Sequence, residues 1–323
     1  MTTTQLAHEG PQSSTISLEQ LPADFNARKN FAAAQSRLRQ MAAQVDHVWN
    51  CGLPSLRRVA RRDARAILND SGVQVRRLLT PPDANPKLAQ SHEPIWSLSL
   101  APANQSGSWH VCPGSTPACE AGCLGWHSGH SAMGEDNPTR RARIRRTGAL
   151  LSDSESIQWA ALVQLRVELE QAARRGPCAV RLNAFSDLAW EWIWPQLFEA
   201  DSLSNIRWYD YTKIPGRSTP KNYSLTLSWT PKLDKIAGYW LRTGRNIAVI
   251  FGVKNSSELP QQWRGWPVLD GTQSDARWRD PRGHIVGLTW KGSPSRQKWQ
   301  QSCDGAKAAG WVVSPTDNDQ PML

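Results

Sequence analysis

The chain has 323 residues, 39% hydrophobic and 20% charged, which is enough apolar content for a core and excludes wholesale disorder. Lys plus Arg (38) exceed Asp plus Glu (28), giving a formal charge of +10 that raises nucleic acid as a partner but does not bear on fold. No stretch approaches the roughly 18 apolar residues of a membrane span, Met1 to Gly10 is too polar for a signal peptide, and six Cys are too few for a disulfide scaffold, so a cytoplasmic protein with reduced thiols and no membrane partner is expected.

In chain order, residues 1–21 are rich in Thr, Ser and Gln and read as a disordered tail. Asp24 reads as the cap of a helix over Phe25 to Trp49, with Leu38, Met41, Val45 and Val48 at helical spacing. Cys51-Gly52-Leu53-Pro54 stops it. Ser55 then caps a second helix whose stripe is Leu56, Val59, Ala60, Ala64, Ile67 and Leu68. Pro81, Pro82, Asn85 and Pro86 mark a linker, so residues 22–90 form a basic helical extension with its linker.

From residue 91 to 323 the pattern alternates. Strands are expected at Ile95 to Leu100, Trp109 to Val111, Ala179 to Leu182, Ile206 to Tyr211, Tyr223 to Ser228, Asn246 to Phe251, Val268 to Leu269 and Ile285 to Trp290. Helices are expected at Asp153 to Arg175, Leu188 to Glu199, Leu233 to Arg242 and Ser295 to Ala309. Strands separated by helices predict an α/β domain: a mainly parallel barrel or part-barrel of repeated βα units, carrying a cysteine loop.

That loop is Cys112-Pro-Gly-Ser-Thr-Pro-Ala-Cys119-Glu-Ala-Gly-Cys123, which places three of the six Cys within twelve residues. A bound metal is the usual reason to bring three thiolates together. An iron–sulfur cluster, of the 4Fe-4S kind, takes Cys thiolates. With three supplied, one iron stays open to a small molecule, as when a radical enzyme holds S-adenosylmethionine. The alternative is zinc, with His127 or His130 as fourth ligand. Cys303 could close either site from a distance. Cys51 and Cys178 read as ordinary buried thiols.

The cysteine segment, the Asn137-Pro-Thr-Arg-Arg-Ala-Arg143 helix start, Val180-Arg181-Leu182-Asn183 with Asp187, Trp208 to Lys213, and Val268-Leu-Asp270 with Asp275, Arg277 and Asp280 together resemble the phage-encoded gene-product-88-like family, over about residues 94–293. The resemblance implies a radical-enzyme-like barrel, reinforces the cysteine site, and would place a phage-encoded protein in the host cytoplasm. Leu124-Gly125-Trp126 departs from the aromatic-Ala pair that often follows the third Cys, so local packing there differs.

Functional side chains of such sheets gather at the carboxyl ends of strands. This selects Asn183, Asp187, Lys213, Ser228, Lys254, Asp270 and Lys291. Among them Asp187, Lys213 and Asp270 are the catalytic candidates, and Asn183 and Ser228 the cofactor-binding ones, serving a small-molecule or nucleotide substrate. Asp187 equally suits a helix cap, and Asp270 a turn. Of the tryptophans, Trp190 and Trp194 share a helix face and read as core. Trp263, Trp266 and Trp278 read as barrel packing or as platforms for bases.

The positive charge is concentrated. Residues 28–79 hold eleven Lys and Arg against three Asp, and Arg140, Arg141, Arg143, Arg145 and Arg146 follow the cysteine loop. The preference for Arg suits bidentate phosphate recognition. Arg57, Arg58, Arg61, Arg62 and Arg65 are the candidate nucleic-acid contacts. Two readings follow: a metal-dependent, radical-type enzyme built around three cysteines, or a nucleic-acid-binding protein whose cysteine loop is structural.

Overall fold

The computed structural model describes residues 26–84, 91, 93–107, 109–127, 137–291, 296–317 and 321–322. The expected tail, Asp24, Asn85, Pro86 and His130 lie outside the described residues, as does the His127 side chain.

Helix α1 (Asn26–Asn50) buries Leu38, Met41, Val45 and Trp49, a stripe at helical spacing in which Trp49 rather than Val48 is fully covered. Helix α2 (Pro54–Asp70) begins on its proline, whose missing N–H costs nothing at a helix start. Ser55 therefore sits inside the helix and Leu53 is the uncapped N-cap residue. Ala60, Ala64 and Leu68 are buried, the two alanines letting α2 lie close to its neighbour, whereas Leu56 and Val59 face outward. Cys51 is exposed, not buried, at the turn between these helices.

Within the cysteine segment lies the short helix α3 (Pro117–Ala121), followed by α4 (Leu124–His127), α5 (Pro138–Leu150) and α6 (Glu155–Arg174). Helix α6 is the scaffold: both faces are buried, with α1, α2 and α5 packed against it. Further on come α7 (Trp190–Ile193), α8 (Asp234–Arg242) and α9 (Arg296–Ala308). The helix expected over 188–199 is only a single turn, since Pro195 lacks the N–H that a second turn needs. Trp190 and Trp194 are buried there, while Trp192 is 37% exposed.

The strands are β1 (Leu79–Thr80), β2 (Ile95–Leu98), β3 (Cys178–Arg181), β4 (Ile206–Thr212), β5 (Tyr223–Ser228), β6 (Ile247–Phe251), β7 (Gln262–Trp263), β8 (Trp266–Asp270) and β9 (Ile285–Thr289). They form one nine-stranded sheet in the order β1-β2-β3-β4-β5-β6-β9-β8-β7. All pairings from β2 to β8 are parallel, and the edge strands β1 and β7 are antiparallel additions. The protein is thus an α/β fold with a mostly parallel mixed sheet and N-terminal helices, and its ladder runs linearly from β1 to β7.

Strict βα repetition does not hold. The β4–β5 connection has no helix among its residues, and β9 inserts between β6 and β8. Trp109 to Val111 is a loop rather than a strand: Val111 N donates to Ala103 O (3.0 Å) and Val111 O accepts from Asp187 N (2.8 Å), with no sheet neighbour. The β8–β9 connection carries Trp278 across the inner face, where it packs on Ile95, Ala179 and Tyr209, with rings 5.3 Å apart from Tyr209. Trp263 is buried edge-on against Trp229 and Phe251, a packing role. One large apolar cluster unites α1, α2, α6 and β2 to β4, and a second lies around β5, β6 and α8.

Candidate active site at the carboxyl ends of the strands

In parallel strands of matched register the carboxyl ends are level, as in the Phe251–Thr289 pairing that closes β6 against β9. Over these ends lies a cavity of ≈470 Å³ lined from β3, β4, β5, β6 and β9 and from the loop after β8. Arg181 of β3 and Asp275, distant in sheet order, line it together because the β8–β9 connection reaches back to β2, β3 and β4, where its Trp278 packs.

The cysteine loop forms one wall. Cys112, Cys119 and Cys123 all line the cavity. Cys112 is anchored between two backbones: Ala103 N donates to its sulfur (3.3 Å) and its thiol donates to Phe185 O (3.4 Å). Thr116 caps α3 by accepting from Cys119 N (3.2 Å), which fixes the second thiol on the first turn of that helix. Gly114 lets the loop descend on Lys213, whose Cβ would lie 2.8 Å from an added methyl, and Gly122 lets it lie flat against the Trp311 ring. Arg143 of α5 braces the far end, donating to Gly125 O and lying 4.1 Å over the Phe185 ring. Burial holds Arg143 down at about 10.

Burial also raises the thiols of Cys112 and Cys123. Cys112 is pushed well above its ordinary value, first by burial and then by the neighbouring Cys123, Cys119 and Asp187. Cys123 is pushed up to about 11 by burial, with Cys119 adding to the rise and Arg143 and Lys213 opposing it. The three sulfurs therefore share one electrostatic environment. Among the described residues, no three His, Cys, Asp or Glu side chains stand close enough to hold a single ion. Cys303 is buried on α9 in a separate cluster with Trp290 and Trp311, against which Cys119 packs.

The opposite wall holds most of the expected residues. Asn183, Asp187, Lys213, Ser228 and Lys291 all line the cavity. Asn183 has little left to offer a ligand. Its Oδ1 accepts from Ser186 Oγ and Leu188 N (both 2.8 Å), and its Nδ2 donates to Leu188 O (2.9 Å) and Asp210 (3.1 Å). Asp187 accepts from Lys213 N (2.7 Å) and from Arg217 (3.1 Å), so its role as a helix cap is not realised. Burial raises Asp187 above the ordinary carboxylate range, against the pull of Arg217 and Lys213. Arg217 itself is fully buried, forked onto Glu191 (2.8 and 2.6 Å) with Tyr223 beside it (3.1 Å).

Asp270 does not line the cavity. It closes a turn, accepting from Thr272 N (2.8 Å), Thr272 Oγ1 (2.6 Å) and Gln273 (3.0 Å). Burial acts to raise its carboxyl, but the hydrogen bonds from Thr272 and Gln273 outweigh it and hold the group below its usual range. The loop it starts instead delivers Thr272 and Asp275 to the cavity. Arg181 and Tyr211 also line it, with the guanidinium 4.8 Å over the tyrosine ring. Sequence reasoning missed Arg181, although a lone Arg ending an apolar strand is the signal that marks it.

The Arg57–Arg65 series divides. Arg57 donates to Trp49 O, Arg61 pairs with Glu170 (3.0 Å), and Arg62 pairs with Asp63 (3.0 Å). Arg58 and Arg65 are exposed. Among the described residues no helix is long and apolar enough to cross a membrane. The family model described as gene product 88 matches residues 74–309. No curated protein and no solved structure matches the chain.

Proposed function

The chain belongs to the gene product 88 family, and we propose that its cavity is the active site of an enzyme that holds an iron–sulfur cluster through Cys112, Cys119 and Cys123 and uses it with S-adenosylmethionine. The observation that carries this reading is the convergence of three thiols from one loop on a cavity at the carboxyl ends of parallel strands. Three thiols leave one cluster iron for a small-molecule ligand, and ≈470 Å³ is a small-molecule volume. When bound, such a cluster supplies one-electron reduction of the cofactor and so radical hydrogen abstraction.

The donor set fits the group. Cys thiolates are the ligands an iron–sulfur cluster takes, and three of them are supplied here from one loop to one cavity. The Ala103 N–H donates to the Cys112 sulfur, the kind of contact that tunes a cluster's potential. The Lys213 ammonium acts on Cys123 and offsets the negative charge that thiol acquires on deprotonation. Asp187 and Arg217 act as positioning residues, holding the Lys213 backbone in place. Arg181, Ser228 and Asp275 present charged and polar groups to a substrate, and Trp290, Trp311, Ile250 and Leu288 exclude water around them. All six cysteines are free, which suits a reducing compartment such as a host cytoplasm.

Anaerobic reconstitution with iron and sulfide tests the reading. The expected product is brown, with about four iron and four sulfide per chain, both lost in the Cys112→Ser/Cys119→Ser/Cys123→Ser variant. Loading should be favoured as pH rises, because the buried thiols must release protons to bind. A colourless protein with zinc bound instead of iron, or iron at background in both proteins, overturns it.

A further inference from the structure

On the side of the molecule formed by α2, residues 74–77, α5 and α6 lies a second, larger groove of ≈1150 Å³. Its wall carries six guanidinium groups, from Arg61, Arg65, Arg76, Arg77, Arg145 and Arg146, and no carboxylate. The two Arg-rich segments, separate in sequence, thus meet on one surface. Arg61 is held by Glu170 (3.0 Å), and Arg146 donates to Arg77 O (2.9 Å) and Thr80 Oγ1 (3.3 Å). Arg65, Arg76, Arg77 and Arg145 have no carboxylate partner among the described residues. Gathering like charges without counter-charge is unfavourable unless an anion offsets it.

We propose that this groove binds the phosphodiester backbone of double-stranded nucleic acid. Arg, unlike Lys, presents a planar fork that matches phosphate oxygens. Duplex DNA presents about one phosphate charge per 1.7 Å of axis, an anionic array suited to guanidinium groups set along α2 and α5 and the irregular segment 74–77. Between the arginines stand Asn69, Gln74 and Gln171, carboxamides able to meet sugar or base edges, while Gln164 is held by Glu168 (2.6 Å). Apart from these polar residues the wall is aliphatic (Leu68, Val75, Ala142, Val163 and Val167) and none of its residues is aromatic, so it lacks the stacking platform that single-strand binders use. Of the five arginines singled out on α2 by sequence, only Arg61 and Arg65 belong to the groove. The proposal is independent of the cysteine cavity.

Fluorescence anisotropy with the full chain and a labelled DNA duplex, compared with a single strand of DNA and of RNA of equal length, tests it across ~50–200 mM salt. Neutralising Arg65, Arg76, Arg77 and Arg145 together (R65Q/R76Q/R77Q/R145Q) is expected to weaken duplex binding on the order of 100-fold and to flatten the salt slope by about 3 to 4. A charge-matched control, R39Q/R58Q/R207Q/R242Q, removes four exposed arginines outside the groove and is expected to change affinity by less than about threefold. Gln171→Glu, which places one carboxylate on the wall, should weaken binding in a background with every arginine intact. Equal loss in the two quadruple variants would reduce the effect to bulk charge and overturn the proposal. Absence of binding, tighter binding of either single strand than of duplex, or full displacement by tripolyphosphate with no dependence on duplex length would each do so as well.

Discussion

Asp210 sits fully buried on β4, where it accepts hydrogen bonds from Asn183 N (2.8 Å), Asn183 Nδ2 (3.1 Å) and Tyr223 OH (2.6 Å). Burial pushes its carboxyl up to about 6, against the pull of the Tyr223 hydrogen bond and of Arg181 and Arg217. A carboxyl raised on folding binds more protons in the native state than in the unfolded chain between its two values. Its contribution is therefore complete below the ordinary value of 3.8 and is lost as pH rises through about 6. Urea unfolding of wild type and Asp210→Asn at pH 4 and pH 7 measures this. The stability of wild type relative to the variant should fall by about 2 kcal/mol over that interval, the size implied by a shift of this order; an unchanged difference would place the carboxyl at its ordinary value. Asn183, beside it, was legible as a strand-end polar residue but not as a spent one. Only its four hydrogen bonds show that it shapes the 183–188 loop.

At the scale of elements, α6 joins the N-terminal helices to the sheet. Its Glu168 accepts from the backbone N–H groups of Leu78 (3.1 Å) and Leu79 (2.7 Å) and so starts β1. Its Glu170 takes Trp49 Nε1 from α1 (2.6 Å) and Arg61 from α2 (3.0 Å), with Arg166 3.5 Å away. Glu170→Ala leaves these buried donors unpaired and is expected to cost about 3–5 kcal/mol, read as a lowered urea midpoint with the slope unchanged; a cost under about 1 kcal/mol would mean water replaces the carboxylate. The helical period of α6 was plain in sequence, and its two buried glutamates were not, since a charged residue at helical spacing normally marks the solvated face. The cysteine segment was legible as a Pro/Gly loop, yet Thr116 nucleates a helical turn inside it by capping Cys119 N.

At the scale of the whole molecule, α1 and α2 share one apolar cluster with α6 and with β2 to β4, and Trp194 reaches Asp46 of α1 (2.7 Å). A chain starting at residue 74, where the family match begins, would uncover that cluster. Such a truncation is expected to lose soluble yield and a cooperative calorimetric transition; a soluble fragment melting like the full chain would show that the helices add nothing to the core. The sequence by itself determined the α/β class, the cysteine loop, the strands β4, β5, β6 and β9 and the concentration of positive charge, because each of these is written in local pattern: period, turn residues and residue type. Tertiary structure decided the insertion of β9 between β6 and β8, the path of the β8–β9 connection that brings Asp275 to the cavity Arg181 lines, and the meeting of two arginine segments across a single groove. Those features depend on contacts between residues tens to more than a hundred positions apart. Such contacts are fixed by packing of the whole core and leave no periodic trace in any one segment.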